Sequence, residues 1–198
     1  MVKTVISDLG GVLLNRGIWI FWDYLEEEYN IPSEKSRTIF LKYYKQYFSG
    51  KISEKSFWDN FLSKLNLNEN WKFLRNKLLN FFKPNEKMIK LYSDLRKKGY
   101  ELILLSDQTK EWWPYLDETY NISSYFDITI ISALVGLHKP NVEIYEYTLK
   151  QTKSKASDCL FIDDLEHNLI PAKKLGIQTI LFEDCDKLKI KLKEKNLI

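Results

Sequence analysis

The sequence contains few cysteines and no long apolar segment. Its two cysteines, Cys159 and Cys185, cannot form a disulfide framework and belong to no CxxC pair, which is consistent with a reducing compartment. No apolar run approaches the ~20 residues that cross a bilayer, and the first residues, MVKTVISDLG, lack the pattern of a cleaved signal peptide. We therefore expect a cytoplasmic protein with no membrane partner, and we expect Cys159 to lie in the core.

The sequence also lacks a large excess of charge of either sign. Thirty Lys and Arg residues against 27 Asp and Glu residues give a net charge of +3. The lysines are interleaved with acidic residues, so we expect no nucleic-acid partner, and the Lys-rich stretch 187–195 is typical of a solvated amphipathic helix. With 44% hydrophobic and 29% charged residues, the chain is neither disordered nor collagen-like. Its 198 residues suffice for one domain with a sizeable insertion.

Five short apolar runs, rich in β-branched or aromatic residues, predict buried strands. They cover residues 2–7, 100–105, 126–131, 159–162 and 178–182. Between most of them, apolar residues recur at helical spacing, as in Met88, Leu91, Tyr92 and Leu95. Alternating strands and helices predict an α/β protein with a Rossmann-like parallel sheet and right-handed crossovers.

The exception is the segment 17–83, which contains no convincing strand and is dense in aromatic residues and leucine at helical spacing. Pro32-Ser33-Glu34 and Ser53-Glu54 are typical helix starts, and Gly50 is typical of a helix end. We predict an all-helical insertion after the first strand, called the helical insertion below. Residues 1–16 and 84–198 then form the α/β core domain, and residues 17–83 form a second domain.

Polar side chains follow three of the predicted strands. Asp8 follows the first, Ser106 the second, and Asp163-Asp164 the fourth. Ligands of open α/β sheets bind beyond the carboxyl ends of the strands, so these groups meet at one edge. Three acids at one buried edge repel one another unless a cation lies between them. Carboxylates with water and phosphate oxygens are the usual ligands of Mg²⁺, so we expect Mg²⁺ as the cofactor.

Two weaker signals lie in loops at the same edge. Gly10 and Gly11 follow Asp8 and allow a tight loop whose backbone N–H groups approach an anion. Lys139-Pro140 follows the third strand and adds a cation. Acids, a serine and a lysine that follow the strands in this order could bind a phosphoryl group. A carboxylate would be the nucleophile on one side, and the lysine, the serine and a metal ion would neutralise the remaining phosphoryl oxygens.

Four segments carry a resemblance to a known family. The sequences VISDLGGVLLN, ELILLSDQTK, GLHKPNVEIY and CLFIDDLEHNLIPAKKLGIQTILF resemble, in order, the four motifs of the haloacid dehalogenase superfamily. The likeness covers essentially the whole chain. Within the superfamily, the sequence most resembles the phosphatases of one branch, which contains the N-terminal domain of soluble epoxide hydrolase and the glucose-1-phosphate phosphatases. The helical insertion then corresponds to the cap that many members carry.

The resemblance implies a role for each matching residue. Asp8 is the expected nucleophile and Lys139 the expected catalytic cation. Phosphate contacts are expected from Ser106, Asp107 and Lys139, and from the loop residues Leu9 and Gly10. Metal ligands are expected from Asp8, Asp164, Asp163 and the Gly10 backbone carbonyl, with Asn168 in a supporting role. The implied activity is that of a Mg²⁺-dependent phosphatase acting on a small phosphorylated metabolite, as a monomer or homodimer.

Two positions depart from the family pattern. Typical phosphatases of the superfamily carry Asp, the general acid/base, where this sequence has Gly10. Losing such a group typically costs ~10² to 10⁴ in rate. Candidate substitutes are Glu166, His167, His138 and water bound to Asn15. At Asp107 the family more often has Asn, and an acid here repels phosphate unless it is turned away.

Two alternatives to a phosphatase stay open. A 2-haloacid dehalogenase also lacks the acid that Gly10 replaces, and it needs no metal. In the fourth motif, however, such enzymes resemble one another in carrying Ser, whereas this chain has Asp163-Asp164. A catalytically weak protein that binds a phosphorylated ligand or a partner is the second alternative. Abolished turnover with retained Mg²⁺-dependent ligand binding would identify it.

Aromatic residues are candidates for reading the rest of the substrate. Trp19, Trp22, Tyr43, Tyr44 and Tyr47 either form the core of the helical insertion or line a pocket. Two consecutive tryptophans, Trp112 and Trp113, cannot both face inward on one helix, so we expect one of them to edge the pocket or an interface.

Overall fold

A computed structural model describes residues 1–198 and contains a five-stranded, entirely parallel sheet. The strands are β1 (Thr4–Ser7), β2 (Glu101–Ser106), β3 (Ile128–Ile131), β4 (Cys159–Asp163) and β5 (Gln178–Leu181). Their order across the sheet is β3-β2-β1-β4-β5, so β1 is central and pairs with β2 and β4. The predicted α/β fold is therefore confirmed, with strand boundaries shifted by one or two residues.

Ten helices accompany the sheet. They are α1 (Gly17–Tyr29), α2 (Ser33–Phe48), α3 (Glu54–Leu65), α4 (Trp71–Phe81), α5 (Glu86–Lys97), α6 (Trp112–Tyr120), α7 (Ser132–Val135), α8 (Val142–Gln151), α9 (Glu166–Lys174) and α10 (Cys185–Glu194). Both predicted helix starts are confirmed: α2 begins at Ser33 without a side-chain cap, and before α3 the Ser53 side chain accepts a hydrogen bond from Ser56 N. None of the helices is both long and apolar enough to span a membrane.

The two faces of the sheet are buried by different layers. Ile6, Ile103 and Phe161 pack on one face with Tyr145 of α8. Alternate residues such as Val5 and Leu104 belong to a larger cluster of 41 buried residues that extends into the helical insertion. Cys159 is fully buried in the first cluster, and both cysteines are free.

Helices α1 to α4 occupy residues 17–81, between β1 and β2. Their shared interior consists of aromatic rings, and Phe40 packs edge-to-face against Phe21, Phe57 and Phe61. The chain enters and leaves this segment side by side, because Asn15 N donates to Lys83 O and the Asn15 side chain accepts from Lys83 N, both at 2.9 Å. Two adjacent connecting segments, at residues 15 and 83, thus join the helical insertion to the sheet.

Helix α6 corrects the expectation for the paired tryptophans, because Trp112 and Trp113 are both buried. Trp112 lies among rings of the helical insertion, stacked on Tyr44, and its Nε1 donates to Glu54 Oε1 at 2.7 Å. Trp113 belongs to the same buried cluster. Both rings belong to the cluster of 41 buried residues that includes side chains of the sheet and of the helical insertion, so neither ring is left at a surface.

Candidate active site

The strand order places the sequence-predicted groups around the central strand. Asp8 directly follows β1, while Ser106 ends β2 and Asp163 ends β4, the two strands that flank β1. Asp8 N also donates to Ile162 O at 2.9 Å, which fixes the start of the loop beside β4. The carboxyl ends of three parallel strands therefore bring these side chains to one edge.

Lys139 is the cation at this edge, as the sequence predicts. It follows α7 and reaches back so that its Nζ lies 2.7 Å from Asp8 Oδ1 and 2.7 Å from Asp163 Oδ2. Its side chain is only 2% exposed. A buried ammonium needs paired carboxylates, and here two strands of the sheet supply them.

Asp163 is committed to protein partners through both oxygens. Its Oδ1 accepts from Leu165 N at 2.8 Å, and Asn168 Nδ2 donates to both carboxylate oxygens at 3.1 Å. Tyr145 Oη in turn donates to the Asn168 carbonyl at 2.7 Å. Asp163 thus serves first as the partner of Lys139, and Asn168 supports it, as expected for that position.

Asp164 faces a different environment. Arg16 Nε donates to its Oδ2 at 2.8 Å and Arg16 Nη2 forms an ion pair with the same oxygen at 2.8 Å, whereas its Oδ1 is buried with no hydrogen-bond partner. Gly11, with a φ of +84°, packs so close that a Cβ there would overlap Asp164 Oδ2. The second loop glycine is therefore needed for its conformation and for the space it leaves.

Burial and the proximity of three carboxylates shift the pKa values of the groups in the site. Burial raises the pKa of Asp8 well above its usual value, Lys139 opposes this, and repulsion from Asp163 and Asp164 adds to it. Burial likewise raises the pKa of Asp164, although the Arg16 guanidinium lowers it in part. Burial alone would lower the pKa of Lys139, but Asp163 and Asp8 raise it above its usual range. Lys139 therefore stays charged. Its single ammonium pairs with Asp8 and Asp163 and does not neutralise all three carboxylates.

The residues fit a divalent cation. Asp8, Asp163 and Asp164 each offer a carboxylate oxygen, and these oxygens lie within 4.8 Å of one another. The unpartnered Asp164 Oδ1 is a buried acceptor that a hard cation would satisfy. Asp8 and Asp164 are the candidate side-chain ligands, with the Gly10 carbonyl beside them, because the Asp163 oxygens already have partners.

A cavity of about 190 Å³ opens over Asp8. Ser106, Asp107 and Gly10 line its floor, together with Lys139. Leu9 is not among the lining residues, and its side chain is buried in the core. Asp107 is turned toward the protein, since its Oδ1 accepts from Lys139 N at 3.0 Å. Burial raises the pKa of Asp107, and Lys139 opposes that rise.

The walls of the cavity come from the helical insertion. Trp19, Trp22 and Tyr44 line it, and the Tyr44 hydroxyl donates to Gln108 Oε1 at 3.4 Å. Tyr43 and Tyr47 do not line it. Of the five aromatic candidates, three thus line the cavity and two pack in or against the hydrophobic core.

Of the four candidate substitutes for the general acid/base, only Asn15 lines the cavity. Its side chain is committed to Lys83 N and to the Phe81 carbonyl. His138 bonds to the Lys139 carbonyl and to Asn141 outside the cavity, and Glu166 and His167 are exposed at the start of α9. Sequence reasoning missed Arg16 and Gln108 as lining residues, because neither stands at a strand end.

Comparison with known proteins points to one family. Residues 5–182 match the family model described as haloacid dehalogenase-like hydrolase. A sesquiterpene phosphatase from Aspergillus oryzae is 26% identical over 88% of this chain and 87% of its own length. The bifunctional epoxide hydrolase 2 of Sus scrofa is 29% identical over 93% of this chain, which spans only 37% of that larger protein.

Solved structures agree with this match. A family enzyme from Bacteroides thetaiotaomicron has a TM-score of 0.76 at 27% identity, covering 94% of this chain and 98% of that one. A variant of the same enzyme, in complex with magnesium and inorganic phosphate, has a TM-score of 0.75 at 26% identity and covers 95% of this chain and 99% of that one.

Proposed function

This chain belongs to the haloacid dehalogenase-like hydrolase family, and on that premise we propose that it is a Mg²⁺-dependent phosphatase acting through Asp8. The observation that carries the proposal is the position of Asp8. Its carboxylate pairs with the Lys139 ammonium and forms the acidic cluster with Asp163 and Asp164, and it lines the same cavity as Ser106. A phosphoryl group in that cavity meets a nucleophile and positive charge together.

In the first proposed step, an Asp8 carboxylate oxygen attacks phosphorus in line with the leaving oxygen. A bond forms between Asp8 and phosphorus, and the bond to the leaving oxygen breaks with its electron pair. Ser106 and Lys139 bind the non-reacting phosphoryl oxygens. Bound Mg²⁺ would neutralise charge on the same oxygens. Asp8 and Asp164 would hold it, with the Gly10 carbonyl.

In the second proposed step, water attacks the aspartyl-phosphate, and inorganic phosphate leaves as the Asp8 carboxylate is restored. Gly10 offers no side chain to protonate the leaving oxygen or to activate this water. The leaving oxygen therefore takes its proton from solvent, and the attacking water gives its proton to solvent. This favours substrates with good leaving groups and makes the second step slow.

The substrate we propose is a small phosphorylated metabolite, and two kinds of support stand behind it. The cavity above Asp8 holds about 190 Å³ and has Trp19, Trp22 and Tyr44 on its walls. Two relatives are named for phosphatase activity, the sesquiterpene phosphatase and a glyceraldehyde 3-phosphate phosphatase from Methanocaldococcus jannaschii that is 31% identical over 50% of this chain and 43% of its own length. We also propose that residues 17–83 act as a cap domain over a core domain of residues 1–16 and 84–198.

Gly10 supports one rival function, a metal-independent 2-haloacid dehalogenase, since such an enzyme needs no acid at that position. Asp164 opposes it, because its buried oxygen without a partner costs free energy that a bound divalent cation would offset. A catalytically weak binding protein is the other rival, and Gly10 supports that as well.

The test is release of phosphate from an aryl phosphate by the purified protein, with and without Mg²⁺. We expect Mg²⁺-dependent turnover that is lost in Asp8→Asn. Equal, negligible rates in both proteins would refute the phosphatase. Halide release from a 2-haloacid would then identify a dehalogenase, and Mg²⁺-dependent binding of inorganic phosphate without turnover would identify a binding protein.

A further inference from the structure

Arg16 makes a contact that none of the roles described so far explains. It precedes α1, and its guanidinium Nε donates to Asp164 Oδ2 at 2.8 Å, while Nη2 lies in ion-pair contact with the same oxygen, also at 2.8 Å. The two residues stand 148 positions apart in the chain. A planar guanidinium with two nitrogens on one oxygen holds the carboxylate in a more defined orientation than a flexible lysine ammonium does.

The other oxygen of the same carboxylate is left for a different partner. Asp164 Oδ1 is buried without a hydrogen bond, and the Asp164 side chain is only 5% exposed. Asp8, Asp163 and Asp164 each offer one carboxylate oxygen, and these three oxygens lie within 4.8 Å of one another. Gly11 closes the Oδ2 side, since any side chain there would overlap that oxygen. Oδ2 thus has a protein partner, and Oδ1 is the oxygen left free for a cation.

We propose that Arg16 is a positioning residue for the metal site, holding Asp164 through Oδ2 so that Oδ1 is presented to Mg²⁺. The inference rests on the metal dependence in the proposed function. Carboxylates that bind metals are themselves held by hydrogen bonds from outer partners, and replacing such a partner typically weakens metal affinity ~10- to 100-fold. Arg16 stands in that outer position.

An opposing effect must be weighed, because Arg16 is also positive and repels a cation. Its side chain is 42% exposed, so water and salt screen that repulsion. The Arg16 contacts with Oδ2, by contrast, reach a carboxylate side chain that is almost entirely buried and is screened little by water. Loss of orientation therefore outweighs loss of repulsion, and removing Arg16 weakens metal binding.

The same residue connects the metal site to the helical insertion. The Arg16 guanidinium lies 4.6 Å from the centre of the Trp19 ring, and both residues line the cavity over Asp8. Arg37 lies over the same ring from 5.3 Å but makes no ion pair with Asp164. Arg37 is therefore a matched control that shares the aromatic contact without the carboxylate contact.

The experiment is direct metal binding to the purified full chain without substrate, by calorimetric titration with Mg²⁺ and by the loss of the free Mn²⁺ resonance signal. We expect Arg16→Gln to weaken both affinities ~10- to 100-fold. Arg16→Lys keeps the charge with fewer fixed donors and should be intermediate, whereas Arg37→Gln should match the wild type. The metal-free melting temperature of each variant checks folding, and Arg16→Lys replaces Arg16→Gln if the latter does not fold.

The outcomes separate this inference from the function on which it rests. If the wild type binds metal and Arg16→Gln binds it equally tightly or more tightly, Arg16 does not position Asp164 and the inference is wrong. If the wild type itself binds neither metal, the metal dependence of the proposed function fails, and the inference fails with it. A second readout is the Mg²⁺ concentration giving half-maximal turnover, which should rise in Arg16→Gln while the rate at saturating Mg²⁺ recovers.

Discussion

Lys139 Nζ lies 2.7 Å from Asp8 Oδ1, and both side chains are almost entirely removed from solvent. The lysine also bonds Asp163 Oδ2 at the same distance, so one ammonium joins the ends of two neighbouring strands. The contact orients the proposed nucleophile and binds the loop after β3 to the sheet. Stability and activity are therefore coupled at this residue.

Replacing Lys139 tests that coupling. Lys139→Met leaves two buried carboxylates without their cation, and we expect a loss of ~3–5 kcal/mol in the free energy of unfolding. Turnover should disappear as well. The measurement is denaturant unfolding at neutral pH, with Lys191→Met as a control because the Lys191–Glu183 pair is exposed and worth at most about 1 kcal/mol. Equal stability of the two variants would contradict the structural role of Lys139.

The two loop glycines should respond differently to an added methyl group. At Gly10 a Cβ meets nothing within 4 Å, whereas at Gly11 it overlaps Asp164 Oδ2 in a backbone conformation with φ of +84°. Gly11→Ala should therefore lower both the melting temperature and Mg²⁺ affinity, while Gly10→Ala leaves both near wild-type values. Equal effects in calorimetric and Mg²⁺ titrations would show that the close approach of Gly11 to Asp164 is unimportant.

The open space at Gly10 also permits a gain of function. Gly10→Asp restores a carboxylic acid at the position where typical relatives carry their general acid/base. We expect ~10²-fold or more in kcat/KM, which reports formation of the aspartyl-phosphate, on alkyl phosphates, whose leaving groups need a proton, and a smaller gain on activated aryl phosphates. Steady-state kinetics on the two substrate types checks this, and an equal gain on both would mean that the new acid does not protonate the leaving oxygen.

Metal affinity should depend on pH with a definite sign. Burial raises the pKa of Asp8 and of Asp164, so protons compete with Mg²⁺ in the window between the ordinary carboxyl pKa and the raised values. Across that window the metal-free folded protein binds more protons than the unfolded chain, so its stability falls as pH rises. Mg²⁺ affinity rises over the same window, because binding releases protons.

The check is calorimetric titration with Mg²⁺ at mildly acidic and neutral pH, in buffers of different ionisation enthalpy. We expect proton release to appear as a buffer-dependent heat. An affinity that does not change with pH, and a heat that does not change with buffer, would contradict the raised carboxyl pKa values.

Much of this site follows from the sequence because a parallel sheet converts chain order into position. Asp8, Ser106 and Asp163 follow or end apolar runs, and adjacent strands then bring them together whatever the loops do. The burial of Cys159 follows from its apolar run in the same way. These predictions depend only on strand length and strand order.

The remaining features depend on how loops and helices pack, which periodicity does not encode. Arg16 reaches Asp164 only because the chain crosses from β1 to the helical insertion beside the loop after β4. Trp112 and Trp113 are both buried, so α6 is covered on more than one side. A pattern that assumes one buried stripe per helix cannot anticipate such a helix.

The central claim is that Asp8 becomes phosphorylated. Because no side chain at Gly10 activates water, the aspartyl-phosphate should accumulate during turnover, so the direct measurement is acid quenching followed by mass spectrometry of the peptide that contains Asp8. We predict one added phosphoryl group on Asp8 in the presence of Mg²⁺ and substrate, and none in Asp8→Asn. Continued phosphate release by the wild type, with Asp8 unmodified at every quench time and with undiminished turnover in Asp8→Asn, would contradict the account.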